Sequence, residues 1–150
     1  MTILDELRDG ILTASPEETE ALGARLAAAL PANVALALSG DLGTGKTTLV
    51  RGLARGLGIQ TAVTSPTYTI HTIYSGDRQL VHVDAYRLGN ARQLDNLAID
   101  EFLSPPYLIA AEWPEHIPAF FEDYPTYRLD LSILPDHRHC IRLVKPAEQT

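Results

Sequence analysis

The sequence predicts an α/β fold: one domain over residues 1–150, with a mostly parallel central sheet flanked by helices and a C-terminal antiparallel hairpin on one edge. Three observations predict it. Asn33 to Ser39 is an unbroken apolar run of strand length, as a strand buried on both faces requires, and a glycine-rich turn leads from it into a helix-forming segment. Strand-length and helix-length segments alternate along most of the chain. Near the end, Tyr127 to Leu134 and Cys140 to Val144 alternate in places and are joined by the turn Pro135-Asp136-His137-Arg138.

From the start, Gly10 to Ala14 reads as a short edge strand. Ser15-Pro16-Glu17-Glu18 then reads as a helix start, with Ser15 as N-cap, Pro16 as first helical residue and Glu18 as capping-box partner. Leu22, Leu26 and Leu30 mark one face of that helix, and Pro31 ends it. After the glycine-rich turn a helix is expected from about Lys46 to Leu57, closed by Gly58. Thr67 to Tyr74 and Gln79 to Asp84 read as strands joined by the turn Ser75-Gly76-Asp77-Arg78. Asn90 to Phe102 reads as helix. Tyr107 to Glu112 is another strand, closed by Trp113-Pro114.

Composition narrows the function classes. The 150 residues are 45% hydrophobic, enough for one buried core. No apolar run approaches the ~20 residues that span a bilayer. Asp5, Glu6, Arg8 and Asp9 make the first ten residues unlike a signal peptide, so a cytoplasmic address is expected. Cys140 is the single cysteine, which excludes an intrachain disulfide and a cysteine metal cluster. The net charge of −7 disfavours a direct grip on a nucleic-acid backbone, but not a place beside a subunit that holds RNA. Of the 12 basic residues only Lys46 and Lys145 are lysines.

Lys46 falls in the chain's most specific motif. Gly40-Asp41-Leu42-Gly43-Thr44-Gly45-Lys46-Thr47 matches the phosphate-binding loop G-x-x-x-x-G-K-[S/T] at every fixed position. Glycines permit the left-handed backbone that turns successive N–H groups into one concavity, and the following helix N-terminus favours anions. Asp41 to Thr48 is therefore the expected contact with a nucleoside triphosphate: Lys46 on the β- and γ-phosphates, Thr47 on Mg²⁺, Thr48 beside the α-phosphate. An acid is also needed. Asp84 ends the run Leu80 to Val83, and Glu112 ends the run Leu108 to Ala111, so both are expected at the crevice at the carboxyl ends of parallel strands. Which of the two is the direct metal ligand stays open at this level. Thr67, in Ser65-Pro66-Thr67-Tyr68, stands where nucleotide switch loops occur, although a plain Ser-Pro turn explains it equally well. Trp113 fits a nucleotide neighbour, a partner contact or a part-buried aromatic. The five histidines show no metal-ligand spacing, and His137 and His139 are expected to be solvated in the hairpin turn.

G-D-L-G-T-G-K-T-T, S-P-T-Y-T, H-V-D-A-Y-R-L and E-W-P occur in this order and at compact spacing. Together, from about Ser15 to Pro114, they resemble the bacterial TsaE (YjeE) family of ATPases in tRNA threonylcarbamoyladenosine biosynthesis. The resemblance implies a Mg²⁺- and ATP-binding subunit that supports turnover of the TsaB–TsaD pair, which modifies adenosine 37 of tRNA, so that tRNA is a partner only indirectly. It implies phosphate and Mg²⁺ roles for Lys46 and Thr47, a Mg²⁺ role for Glu112, a required Asp84, a functional Trp113, a switch role for Thr67 and a place by the adenine for Ser15 to Thr19. Val83 and Ala98 depart from the family's common Phe and Gly, both at packing positions.

Two other readings compete. A small-molecule kinase normally carries a substrate domain and an arginine-bearing lid, for which no insertion is long enough; the arginines are scattered, and Arg87, the nearest candidate for a finger in cis, is better explained as a surface ion pair. A GTP switch normally carries N-K-x-D, and the chain has no Asn-Lys pair.

Overall fold

The computed structural model describes residues 2–63, 71–86 and 99–145. Along them run α1 (Ile3–Asp9), β1 (Ile11–Thr13), α2 (Pro16–Ala29), β2 (Val34–Ser39), α3 (Lys46–Gly56), β3 (His71–Tyr74), β4 (Gln79–Asp84), α4 (Ile99–Phe102), β5 (Tyr107–Glu112), two 3₁₀ turns (Pro114–His116 and Pro118–Asp123), β6 (Thr126–Ile133) and β7 (His139–Lys145). Of the predicted strand Thr67 to Tyr74 and helix Asn90 to Phe102, only β3 and α4 fall within the described residues.

The described strands form one seven-stranded sheet in the order β1-β7-β6-β2-β5-β4-β3. The expectation of a mostly parallel sheet is corrected: β6, β2, β5 and β4 are parallel, but β1–β7, β6–β7 and β3–β4 pair antiparallel, so the sheet is mixed. The reason is connection length. A parallel return needs a crossover of a dozen or more residues, whereas Ser75 to Arg78 leaves room only for a hairpin.

β2 sits between β5 and β6 with Val34 to Leu38 buried on both faces, as its apolar run predicts. On one face Leu36, Leu38, Leu80 and Leu108 pack with Leu22, Leu26, Leu49 and Leu53 of α2 and α3. On the other, Ala35, Val81, Val83 and Ile109 are covered by Ile117, which lies between the two 3₁₀ turns, and by Phe120 and Phe121 of the second. Each fully buried leucine or phenylalanine of this kind contributes about 1.5–3 kcal/mol of transfer free energy.

The start of α2 follows the predicted chemistry with one change. Ser15 Oγ accepts from the Glu18 N–H at 3.2 Å, but the Glu18 carboxylate accepts from Ala14 N rather than Ser15 N. α1 was not foreseen, although Thr2 and Asp5 form a complete capping box.

Candidate functional site

At the carboxyl end of β2 the chain turns through Gly40 to Gly45 and enters α3 at Lys46. Gly43 and Gly45 have φ of 82° and 102°, the left-handed region that side chains resist. A Cβ added to Gly43 would meet nothing within 4 Å, so the backbone conformation rather than crowding selects glycine there. Both the N–H and the hydroxyl of Thr44 donate to the Asp41 carbonyl, which closes the turn.

The loop borders a cavity of about 450 Å³, a size suited to a small-molecule ligand. Leu42, Gly43, Gly45, Lys46, Thr47, Thr48, Asp84, Glu112 and Trp113 line it, so the structure brings together most of the residues the sequence nominated. Asp41 and Thr44 do not line it and shape the loop instead; Thr67 lies outside the described residues. Ala14, Ser15, Pro16 and Thr19 line it as well, along with His137 and His139.

Strand register explains the acids. Asp84 pairs with Glu112 in the β4–β5 ladder, so the two carboxylates end neighbouring parallel strands on the same face. Glu112 is buried, and its Oε2 accepts from Thr47 Oγ1 at 3.1 Å and from His82 Nε2 at 2.6 Å. Asp84 Oδ1 accepts from the Tyr86 N–H at 3.0 Å. Adjacent like charges repel, so the pair favours a cation between the strand ends.

Lys46 supplies one such charge. Its ammonium donates to the Gly40 carbonyl and stands 3.7 Å from the centre of the Trp113 ring, a cation–π contact. Burial lowers its pKa from the ordinary lysine value, and the negative charges of Glu112, Glu115, Asp84 and Asp41 work against that shift. Trp113 is held in left-handed backbone, with φ 59° and ψ 51°, and packs against Tyr86 and His116 at ring separations of 5.0 and 5.8 Å. For a bulky side chain that conformation is strained. It aims the indole at Lys46.

A divalent cation fits the donor set. Thr47 Oγ1 and the Glu112 carboxylate are hard oxygen donors brought within 3.1 Å of each other. Among the described residues no three histidine, cysteine or carboxylate groups converge on a metal-sized site. An ion that takes few protein oxygens and fills its remaining positions with water and phosphate, as Mg²⁺ does, suits two such donors.

Two residues were missed. His139 is not a solvated turn residue: its Nδ1–H donates to the Thr44 carbonyl at 2.7 Å, so β7 pins the loop. His82 is fully buried behind Glu112. Its signal was legible: a polar residue inside a strand that is otherwise apolar, two positions before Asp84 and therefore on the same face.

Among the described residues no helix is long and apolar enough to cross a membrane. Residues 13–142 match the family model described as "Threonylcarbamoyl adenosine biosynthesis protein TsaE". The chain is 46% identical over 117 residues to the tRNA threonylcarbamoyladenosine biosynthesis protein TsaE of Streptomyces coelicolor, covering 75% of this chain and 78% of that one. It is 39% identical over 122 residues to the protein of the same name in Bacillus subtilis, covering 81% and 74%. Its fold is similar to the crystal structure of Bacillus subtilis YdiB, with a TM-score of 0.66 and 32% identity over 89% of this chain and 82% of that one. The chain thus belongs to the TsaE family of tRNA threonylcarbamoyladenosine biosynthesis proteins.

Proposed function

We propose that this chain is a Mg²⁺-dependent ATPase subunit that works in the cytoplasm beside TsaB- and TsaD-type subunits and supports turnover of the complex that modifies tRNA adenosine 37. The observation that carries the proposal is the convergence of a buried lysine ammonium, a threonine hydroxyl and a buried carboxylate at the end of a strand–glycine loop–helix unit. Backbone N–H groups of the loop and the start of α3 bind the phosphates. Lys46 leaves the Trp113 ring for the β- and γ-phosphates. Thr47 and Glu112 hold Mg²⁺, which when bound neutralises phosphate charge. Asp84, beside Glu112 in register, orients the attacking water. Ser15 to Thr19 and the hairpin histidines flank the base and sugar.

Four measurements test this. Isothermal titration with ATP and GTP, with and without Mg²⁺, is expected to show Mg²⁺-enhanced ATP binding; no heat at millimolar nucleotide sinks the reading. Glu112→Ala is expected to lower Mg²⁺-dependent turnover ~10²-fold or more while metal-free ATP affinity stays within a few fold. If both fall together, Glu112 is structural. Trp113 is the chain's single tryptophan, so its emission is expected to change as ATP draws Lys46 away. Constant emission during calorimetrically proven binding would place the nucleotide elsewhere. Pull-down against TsaB and TsaD, with and without ATP, tests the partners.

A further inference from the structure

His82 occupies the middle of β4 with 0% of its surface exposed. Leu80, two residues earlier on the same face, fills its place with hydrocarbon. Burying an imidazole is costly unless its polar atoms are bonded. Only one nitrogen is: Nε2 is 2.6 Å from Glu112 Oε2, while Nδ1 has no partner among the described residues. Packing alone would favour an apolar side chain here, with no orphaned atom. The bond to Glu112 is what histidine adds.

The ladder explains the reach. His82 stands beside Ala110, and Asp84 stands beside Glu112. Ala110 presents only a methyl group, which leaves room for the imidazole to meet the next carboxylate along β5 diagonally. A carboxylate oxygen accepts, so the shared proton belongs to Nε2. The same Oε2 takes the Thr47 hydroxyl, which gives a continuous chain of hydrogen bonds from the sheet interior, through Glu112, to the first turn of α3.

We infer that His82 is a positioning residue for the metal: its Nε2–H fixes the rotation of the Glu112 carboxylate against Thr47. The inference rests on the reading of Thr47 and Glu112 as the Mg²⁺ residues. The last torsion of a glutamate side chain is broad, so without the imidazole the Thr47 hydroxyl alone restrains it among the described residues. Partners that orient metal ligands in this way change metal affinity by ~10–100-fold.

The test uses the full chain and three variants, His82→Leu, His82→Gln and His82→Asn. Leucine fills the space and donates nothing. Glutamine carries an amide N–H at the reach of imidazole Nε2, and asparagine falls one bond short. Mn²⁺ affinity is read by electron paramagnetic resonance with bound ATP analogue, next to nucleotide affinity in EDTA and thermal melting. Mn²⁺ affinity is expected to fall ~10-fold or more in His82→Leu and His82→Asn and to stay within ~3-fold in His82→Gln, with EDTA affinities near that of the parent. If His82→Leu does not fold, the contrast between the two amides decides. Unchanged Mn²⁺ affinity in His82→Leu, or equal affinities for the two amides, overturns the inference and leaves the ATPase reading standing. A parent chain whose nucleotide binding ignores metal overturns both.

Discussion

Lys46→Ala is expected to weaken ATP binding at least ~100-fold, about 2.8 kcal/mol, and to remove turnover. Lys46 as a residue is only 5% exposed, and charge-assisted hydrogen bonds of the kind its ammonium makes to phosphate are each worth about 1.5–3 kcal/mol. The chain's other lysine, Lys145, lies at the end of β7. The fold should not suffer. Because burial lowers the Lys46 pKa in the folded chain, its charge opposes folding at every pH below the folded value, and that cost fades only as pH rises towards 10.5. At neutral pH the loss of that charge is therefore not itself expected to lower the melting temperature. Titration calorimetry and a melting curve on one sample separate the two effects, and undiminished ATP affinity would refute the phosphate role.

Gly52→Ala is expected to do the reverse, damaging the fold first. A Cβ at Gly52 would lie 2.2 Å from the Glu20 carbonyl oxygen and 2.9 Å from the Glu20 Cα. A Cβ at Gly23 would make the mirror approach, 2.5 Å from the Leu49 carbonyl oxygen. α2 and α3 thus touch backbone to backbone, and neither main chain can yield as a flexible side chain would. Separation costs about 3 kcal/mol or more, against a helix-propensity gain of about 1 kcal/mol for alanine over glycine. The net loss of ~2 kcal/mol lowers the melting temperature by roughly 4–8 °C. Circular dichroism measures it, and an unchanged transition would mean that the helices part freely. Since α3 begins with Lys46, Thr47 and Thr48, ligand affinity should drop as well.

What could be read from the sequence was what is local. The strand–loop–helix unit is contiguous, Ser15 and Pro16 sit in one helix turn, and Asp84 and Glu112 each end an apolar run. The mixed sheet was half legible: the turns at Ser75 and Pro135 imply antiparallel returns, but nothing local says that β1 pairs with β7. His82 needs the β4–β5 register before its link to Glu112 can be seen. The pairing of His139 with Thr44 depends on strand order, which no window of sequence contains. The Trp113–Lys46 contact depends on a backbone twist at Trp113 that residue type argues against.

The clasp between His139 and Thr44 joins positions 95 residues apart, which sets an order of events during synthesis. The glycine loop leaves the ribosome early, but the hydrogen bond that steadies it waits until β6 and β7 have emerged and zipped together. Long-range closures of this kind come late and slowly. A nascent or truncated chain ending at Ile133 would carry the complete loop motif without its anchor. Ligand affinity should therefore mature only once β7 has joined the sheet.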